Sequence, residues 1–168
     1  ENRVYRVEDY RPPPPPPPRP LESPVRSHVR IRYSKLGRLV ALSHLETMTA
    51  LLRAVRRAGL PVAYSQGYHP KPRVSFGPAL AVGVESLCEY LDLELVGTHD
   101  AREMAARLAA RLPEGMAVLE ARALDPRAPS VNESMRAVHY RVEFPEGWST
   151  EELSRRIDEF RAAEQAVV

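Results

Sequence analysis

The segment SHLETMTALLRAVRRAGLP, residues 43–61, predicts an amphipathic helix with a marked beginning and a marked end. Ser43 is a favourable N-cap, and Glu46 completes a capping box that satisfies free backbone donors. Gly59 can adopt the left-handed conformation that ends a helix, and Pro61 cannot continue one. We therefore expect a helix over residues 43–58. Its apolar stripe consists of Leu45, Met48, Leu51, Leu52, Val55 and Ala58.

Alternating polar and apolar residues on both sides of this helix predict β-strands. Residues 28–33 alternate before the helix, and residues 88–96 alternate after it. The later segment is expected to turn inward the side chains of Tyr90, Leu91, Leu93 and Leu95.

The remaining elements complete one domain. Short strands are expected at 62–64, 73–76 and 116–121, and a second helix is capped by Asp100 and Glu103. The resulting order is the βαββαβ pattern of a ferredoxin-like α+β domain, an antiparallel sheet with both helices on one face. We assign this domain to residues 28–125.

The same order begins again in residues 126–168. Residues 138–144 alternate as a strand, and Ser149 or Thr150 can begin a helix. We expect a second, incomplete ferredoxin-like domain consisting of its first strand and helix. One strand and one helix cannot bury a core alone, so they need a neighbouring surface. The buried stripe of the helix would be Leu153, Ile157 and Phe160.

Residues 1–27 read as the tail of an upstream module followed by a proline-rich linker. Residues 12–18 are all proline, which lacks the backbone donor and is held near polyproline II. Such a run serves as a stiff spacer, and it can also bind aromatic-lined grooves. The spacer interpretation is favoured. Since the sequence does not begin with Met, we expect it to be a segment of a longer protein.

The composition of the chain excludes some kinds of binding site and some classes of protein. The chain has 168 residues, 43% of them hydrophobic, and a net charge of +2, so only local clusters of cations can indicate a partner. Cys88 is the sole cysteine, which excludes an internal disulfide and a cysteine-only metal or iron–sulfur site within this chain. No run of 18 apolar residues occurs, and no signal peptide is visible. We expect a cytoplasmic protein without a membrane partner.

Two sequence blocks carry a family resemblance: LSHLE at residues 42–46 and SQGYHPKPR at residues 65–73. The resemblance extends over about residues 28–144 through GR at 37–38, RAVRRAGLP at 53–61 and SFGPAL at 75–80. The chain resembles a bacterial domain family of unknown function that lies beside, or is fused behind, radical SAM proteins. Many of those proteins also have a cobalamin-binding region.

This resemblance implies a radical SAM module as partner, in cis or in trans. S-adenosylmethionine, a 4Fe–4S cluster and, where its binding region is present, cobalamin would belong to that module. No cofactor is expected in this chain. The resemblance supplies no catalytic residues, so this segment is expected to be a non-catalytic accessory domain.

A cluster of cations and aromatics predicts the binding surface. Arginines of the first helix and cations of the following loop would converge into one anion-receptive pocket, joined by Lys35 and Arg38. Fixed cations beside an aromatic side chain suit phosphate contact and base stacking, so RNA or another phosphate-rich target is the expected ligand. Gly67 would provide positive-φ freedom. The predicted binding residues are Arg53, Arg56, Arg57, Ser65, Gly67, Tyr68, His69, Lys71 and Arg73.

Other functions remain open for the same residues. His44 and His69 could act as acid and base in a metal-independent endoribonuclease, if the loop returns to the start of the helix. Alternatively, both histidines are ordinary capping and loop residues, and the domain is a structural docking adaptor. A metal site formed by His44, His69 and Glu46 is disfavoured, because no HxxxH or HxH spacing supports it.

Overall fold

The computed structural model describes residues 26–66, 68–144, 147 and 149–162. The predicted upstream tail and proline spacer, and the predicted hinge at Gly67, lie outside these residues. The elements in chain order are β1 (Arg26–Lys35), a 3₁₀ helix (Gly37–Ala41), α1 (His44–Arg57), β2 (Val74–Phe76), β3 (Ser86–Val96), α2 (Ala101–Ala109), β4 (Val118–Leu124), α3 (Val131–Ser134) and α4 (Thr150–Ala162).

A four-stranded sheet with the order β2-β3-β1-β4 forms the centre of the first part of the chain. Each neighbouring pair of strands is antiparallel. The predicted α+β class and antiparallel sheet are confirmed. The expected strand at 62–64 is reduced to isolated bridges, in which Val62 pairs with Leu95 and Tyr64 pairs with Pro72.

The hydrophobic core lies between one face of this sheet and the helices α1 and α2. The side chains with at most 1% exposure in this core are Val29, Ile31, Leu51, Ala54, Leu91, Leu93, Leu95, Met104 and Leu108. Successive side chains of a strand point to opposite faces, so the residues between these core positions lie on the other side. We call that side the outer face. It carries Arg30, Arg32, Tyr90, Asp92, Glu94, Glu120 and Arg122.

Helix α1 has the ends that its sequence predicts. The Ser43 amide donates to Glu46 Oε2 at 2.8 Å, and the Ser43 hydroxyl accepts from the Glu46 amide at 3.4 Å. The Ser43 hydroxyl also donates to Glu46 Oε2 at 2.7 Å, and this bond, followed by the one from the Ser43 amide, lowers the pKa of the Glu46 carboxyl. Gly59 has a φ of 61° after the helix. One expectation was wrong: Leu45 of the predicted apolar stripe is 72% exposed.

Helix α2 begins with half of the predicted capping box. Asp100 accepts from the Glu103 amide at 2.9 Å, whereas α1 has both bonds of the box. The C-terminal ends of α1 and α2 are joined by side chains that donate to free helix carbonyls. Arg107 donates to the carbonyls of Ala58 and Gly59, at 3.0 and 2.6 Å.

The first compact unit ends at Ser134, later than the boundary expected at residue 125. The segment after β4 remains attached because Arg30 donates to the Pro129 carbonyl at 2.8 Å and to the Ser134 hydroxyl at 3.3 Å. Val131 of α3 is also buried. Because this segment is mostly polar, its sequence did not predict that it packs against the sheet.

The second unit begins at Met135 and contains α4. Its helix starts where expected, with the Ser149 hydroxyl accepting from the Glu152 amide at 3.1 Å. The strand expected at 138–144 is not formed in the described residues of this unit, and its apolar side chains are exposed. A strand needs a pairing partner, and the exposed Ile157 and Phe160 of α4 show no core to hold it. Among the described helices, none has the length and apolarity needed to cross a membrane.

Candidate functional site

The loop between Tyr64 and Arg73 is closed by paired hydrogen bonds at its base. The Ser65 amide donates to the Lys71 carbonyl at 2.8 Å, and the Lys71 amide donates to the Ser65 hydroxyl at 2.9 Å. Ser65 therefore holds the two ends of the loop together. We call residues 64–73 the Tyr68 loop.

Tyr68 projects from this loop with 94% of its surface exposed. Its ring packs against His69 in an edge-on arrangement, with ring centroids 4.9 Å apart and an interplanar angle of 84°. The His69 ring thus supports one side of Tyr68 and leaves most of the phenol free to contact a ligand. Lys71 is also exposed and lies two residues after His69.

Arg73 lies at the end of the loop on the outer face. Val74 and Phe76 pack against the core, so the alternation of the strand turns Arg73 away from it. Its guanidinium lies 3.4 Å from both carboxylate oxygens of Glu94. Arg73 is therefore partly neutralised, which reduces its value as a phosphate ligand.

The arginines of α1 lie on the helical side of the sheet. Arg53 and Arg56 are exposed, whereas Arg57 donates to the carbonyl of Arg111 at 3.0 Å and so connects α1 with the end of α2. The structure does not bring these arginines and Arg73 together on one face. Lys35, which the sequence placed among the surface cations, is only 1% exposed and donates to the Leu42 carbonyl at 2.7 Å.

His44 and His69 belong to opposite ends of the domain. His44 is the first residue of the 14-residue helix α1, which is about 20 Å long at the usual rise per residue. The Tyr68 loop follows the other end of that helix, where Val62 pairs with Leu95 near the end of β3. The loop does not return to the start of α1, so the two histidines do not form one site.

The described residues contain no group of three or more His, Cys, Asp or Glu side chains that could hold a metal ion. The sole cysteine of the chain, Cys88, is exposed and donates to the Tyr90 hydroxyl at 3.4 Å. An iron–sulfur cluster with cysteine ligands does not fit this chain.

The outer face holds a group of charged residues that the sequence analysis did not select. Arg30 forms a two-point ion pair with Asp92, with N–O distances of 2.7 and 2.8 Å. Arg32 lies 3.3 Å from Glu120, and Arg122 lies directly opposite Arg30 in the strand register. The alternation of residues 28–33 could have revealed this group, since it turns Arg30 and Arg32 away from the core.

Tyr90 also belongs to the outer face, contrary to the expectation that it faces inward. It lies opposite Arg32 in the register of β1 and β3. The hydrogen bond from Cys88, followed by partial burial, raises the pKa of the Tyr90 hydroxyl. The hydrogen bonds to Asp92 raise the pKa of Arg30, so this guanidinium stays charged.

Comparison with known proteins places the chain in a family. No curated protein matches it. The profile of a family described as "Uncharacterized protein conserved in bacteria (DUF2344)" matches residues 28–168, which begin within β1 and include every later element. The chain belongs to this bacterial family.

Proposed function

We propose that this chain is a non-catalytic substrate-recognition domain that binds RNA or another phosphate-rich target through the Tyr68 loop. The observation that carries the proposal is the exposure of Tyr68, 94%, on a loop whose base is closed by Ser65 and Lys71. A nearly free aromatic ring on a braced loop is a suitable platform for stacking a base. Lys71 supplies a positive charge beside it.

The bracing of the loop matters for affinity. A ligand that orders a flexible side chain loses part of its binding energy to that ordering, about 0.5–1.5 kcal/mol for a rotamer-rich side chain. The contact with His69 and the bonds at the loop base reduce this cost for Tyr68. Base stacking on an aromatic ring contributes about 1–3 kcal/mol per base.

Arg53 and Arg56 contribute to this function at longer range. Their side chains are exposed on α1 and form no hydrogen bond or ion pair with other described residues. Exposed charges attract phosphates over a Debye length of about 8 Å at physiological ionic strength. We assign to them the attraction of the target, and to the loop its direct contact.

We further infer that the first unit has a ferredoxin-like fold and works beside a radical SAM enzyme. The fold inference is supported by the βαββαβ order of the main elements and by the strand order β2-β3-β1-β4. The sequence blocks at 42–46 and 65–73 support the radical SAM partner. Residues from Met135 onward are the proposed start of a second repeat, supported by the amphipathic α4.

RNA binding by the purified chain tests the proposal. Fluorescence anisotropy with a labelled single-stranded RNA should show binding that weakens with added salt, as phosphate contacts require. Tyr68→Ala should weaken it about 10-fold, from the stacking energy of one base. Tyr140→Ala is the matched control, since Tyr140 is 71% exposed in the second unit. Equal affinities for both variants and the wild type would reject the Tyr68 loop as the interface.

A structural docking role is the second candidate, supported by exposed apolar side chains at Leu45, Val82 and Leu87. Its occupant would be the radical SAM module. Val82→Asp/Leu87→Asp should abolish co-purification with that module and leave RNA affinity unchanged. Co-purification that survives this change would remove the docking surface from consideration. The endoribonuclease alternative gains no support, because His44 and His69 lie apart.

A further inference from the structure

We propose that the outer face contains a second binding site, between Arg32 and Arg122, for a single terminal phosphate group. The site is separate from the Tyr68 loop and does not depend on its function. It consists of side chains of β1 and β4, with Tyr90 of β3 as one wall.

The first observation is an uncompensated charge. Arg30 and Arg122 face each other across β1 and β4, and like charges in such cross-strand pairs destabilise a sheet. Asp92 neutralises Arg30 through both carboxylate oxygens. The exposed side chain of Arg122 has no hydrogen-bond or ion-pair partner in the part of the chain that the structure describes. A bound anion would compensate the charge of Arg122.

The second observation concerns Arg32. Its Nε atom is buried and lacks an aligned hydrogen-bond acceptor among the described residues, although Glu120 Oε2 lies 3.3 Å away. Buried N–H groups normally have a partner, so a ligand that displaces Glu120 would satisfy this donor. Glu120 is 56% exposed, and ion pairs of that kind are weak enough for a phosphate to displace.

The third observation is the size of the depression between these side chains. Its volume is about 80 Å³, and it is lined by Arg30, Arg32, Tyr90, Glu120 and Arg122. Three arginines of the outer face border this space, so it suits a small anion.

The chemistry of the donors selects a terminal phosphate over an internal one. A phosphate monoester carries a charge of about −1.5 to −2 near pH 7 and has three oxygens free to accept hydrogen bonds. Two guanidinium groups can each present paired donors to such a group. A phosphodiester has one negative charge and fewer free oxygens, so it would accept fewer hydrogen bonds from the two guanidinium groups and bind more weakly.

Thermal unfolding in the presence of inorganic phosphate tests the site, with sodium chloride at matched ionic strength as the reference. The wild-type Tm should rise with phosphate and, above the dissociation constant, increase with the logarithm of the phosphate concentration. Arg122→Gln should change the Tm without phosphate by less than about 2 °C, because Arg122 is exposed and Asp92 already neutralises Arg30. It should also weaken phosphate binding about 10-fold or more, through the loss of charged hydrogen bonds.

Two further variants make the test specific. Glu120→Gln should strengthen phosphate binding, since it removes the competing carboxylate from Arg32. Arg102→Gln, at an exposed position of α2, should respond to phosphate like the wild type. A wild-type Tm that does not depend on phosphate would overturn the proposal, and so would an unchanged phosphate response in Arg122→Gln.

The source of the phosphate is resolved by comparing inorganic phosphate, adenosine 5′-monophosphate and adenosine. Tighter binding of the monophosphate than of inorganic phosphate identifies a nucleotide end, and equal binding identifies a free phosphate. Binding of adenosine as tight as that of its monophosphate would contradict a phosphate site. Loss of RNA binding in Tyr68→Ala with an intact phosphate response separates this site from the proposed function.

Discussion

The ion pair between Arg30 and Asp92 leads to the most specific stability prediction. Arg30 is 6% exposed and Asp92 is 16% exposed, so both charges are largely removed from water. Asp92→Ala deletes the carboxylate and leaves the guanidinium buried. The expected result is a large loss of stability, because a buried charge without its counter-ion is costly.

The contacts of Arg30 determine the size of the effect. Breaking a buried ion pair by removing one partner costs about 3–5 kcal/mol. Arg30 keeps its bonds to the Pro129 carbonyl and the Ser134 hydroxyl, which satisfy part of the guanidinium. We therefore expect the lower end of that range, about 3 kcal/mol.

Urea unfolding at pH 7, followed by far-ultraviolet circular dichroism, measures this loss. Glu120→Ala is the matched control, because its pair with Arg32 is exposed and should change stability by less than about 1 kcal/mol. Arg30→Met/Asp92→Ala should regain most of the lost stability, since it removes the charge along with its partner.

A comparison of the two acidic variants can refute this reasoning. If Asp92→Ala lowers the free energy of unfolding no more than Glu120→Ala does, burial does not strengthen the ion pair between Arg30 and Asp92. A double variant less stable than Asp92→Ala would show that Arg30 stabilises the sheet by its remaining contacts alone.

Three further predictions concern the core, a close backbone approach and a helix cap. Leu93→Ala, at a core position 1% exposed, should cost about 2–5 kcal/mol in the same urea assay, whereas Leu45→Ala should cost far less. Gly115→Ala should cost more than Gly83→Ala: both have a positive φ, but an added Cβ would lie 2.6 Å from the Leu36 carbonyl only at Gly115. The folded state lowers the pKa of Glu46, so its contribution is present above the ordinary value of 4.5 and is lost as the pH falls below it. Glu46→Gln should thus be less stable than the wild type at pH 7, and the difference should shrink as the pH falls below 4.5.

Much of the first unit could be predicted from local sequence. The helix α1 begins and ends as expected because its start depends on hydrogen bonds between Ser43 and Glu46 and its end on the backbone conformation of Gly59. Both are interactions between residues close in the chain. The alternation in β1 and β3 likewise predicted strands, since one face of each is apolar. The strand at 138–144 failed although its alternation was as clear, because pairing depends on a partner that local pattern does not supply.

The candidate site was predicted only in part. The Tyr68 loop was located by its composition, and the structure closes it through Ser65 and Lys71. The composition did not show which cations lie beside this loop in the folded structure. Arg57 bonds to α2, Arg73 faces the side of the sheet away from α1, and Lys35 is buried. Proximity in sequence did not become proximity in space.

The amino-acid sequence alone determined the type and order of the main elements, because capping bonds, glycine conformations and side-chain periodicity are short-range effects. Only the tertiary structure decided which charges meet. The register of β1 with β3 and β4 places Arg30 against Asp92 and Arg122, residues far apart in the chain. The pairing of strands depends on burial of the whole core, which involves residues far apart in the chain. The charged outer face and the unpaired side chain of Arg122 therefore form only when the sheet is assembled.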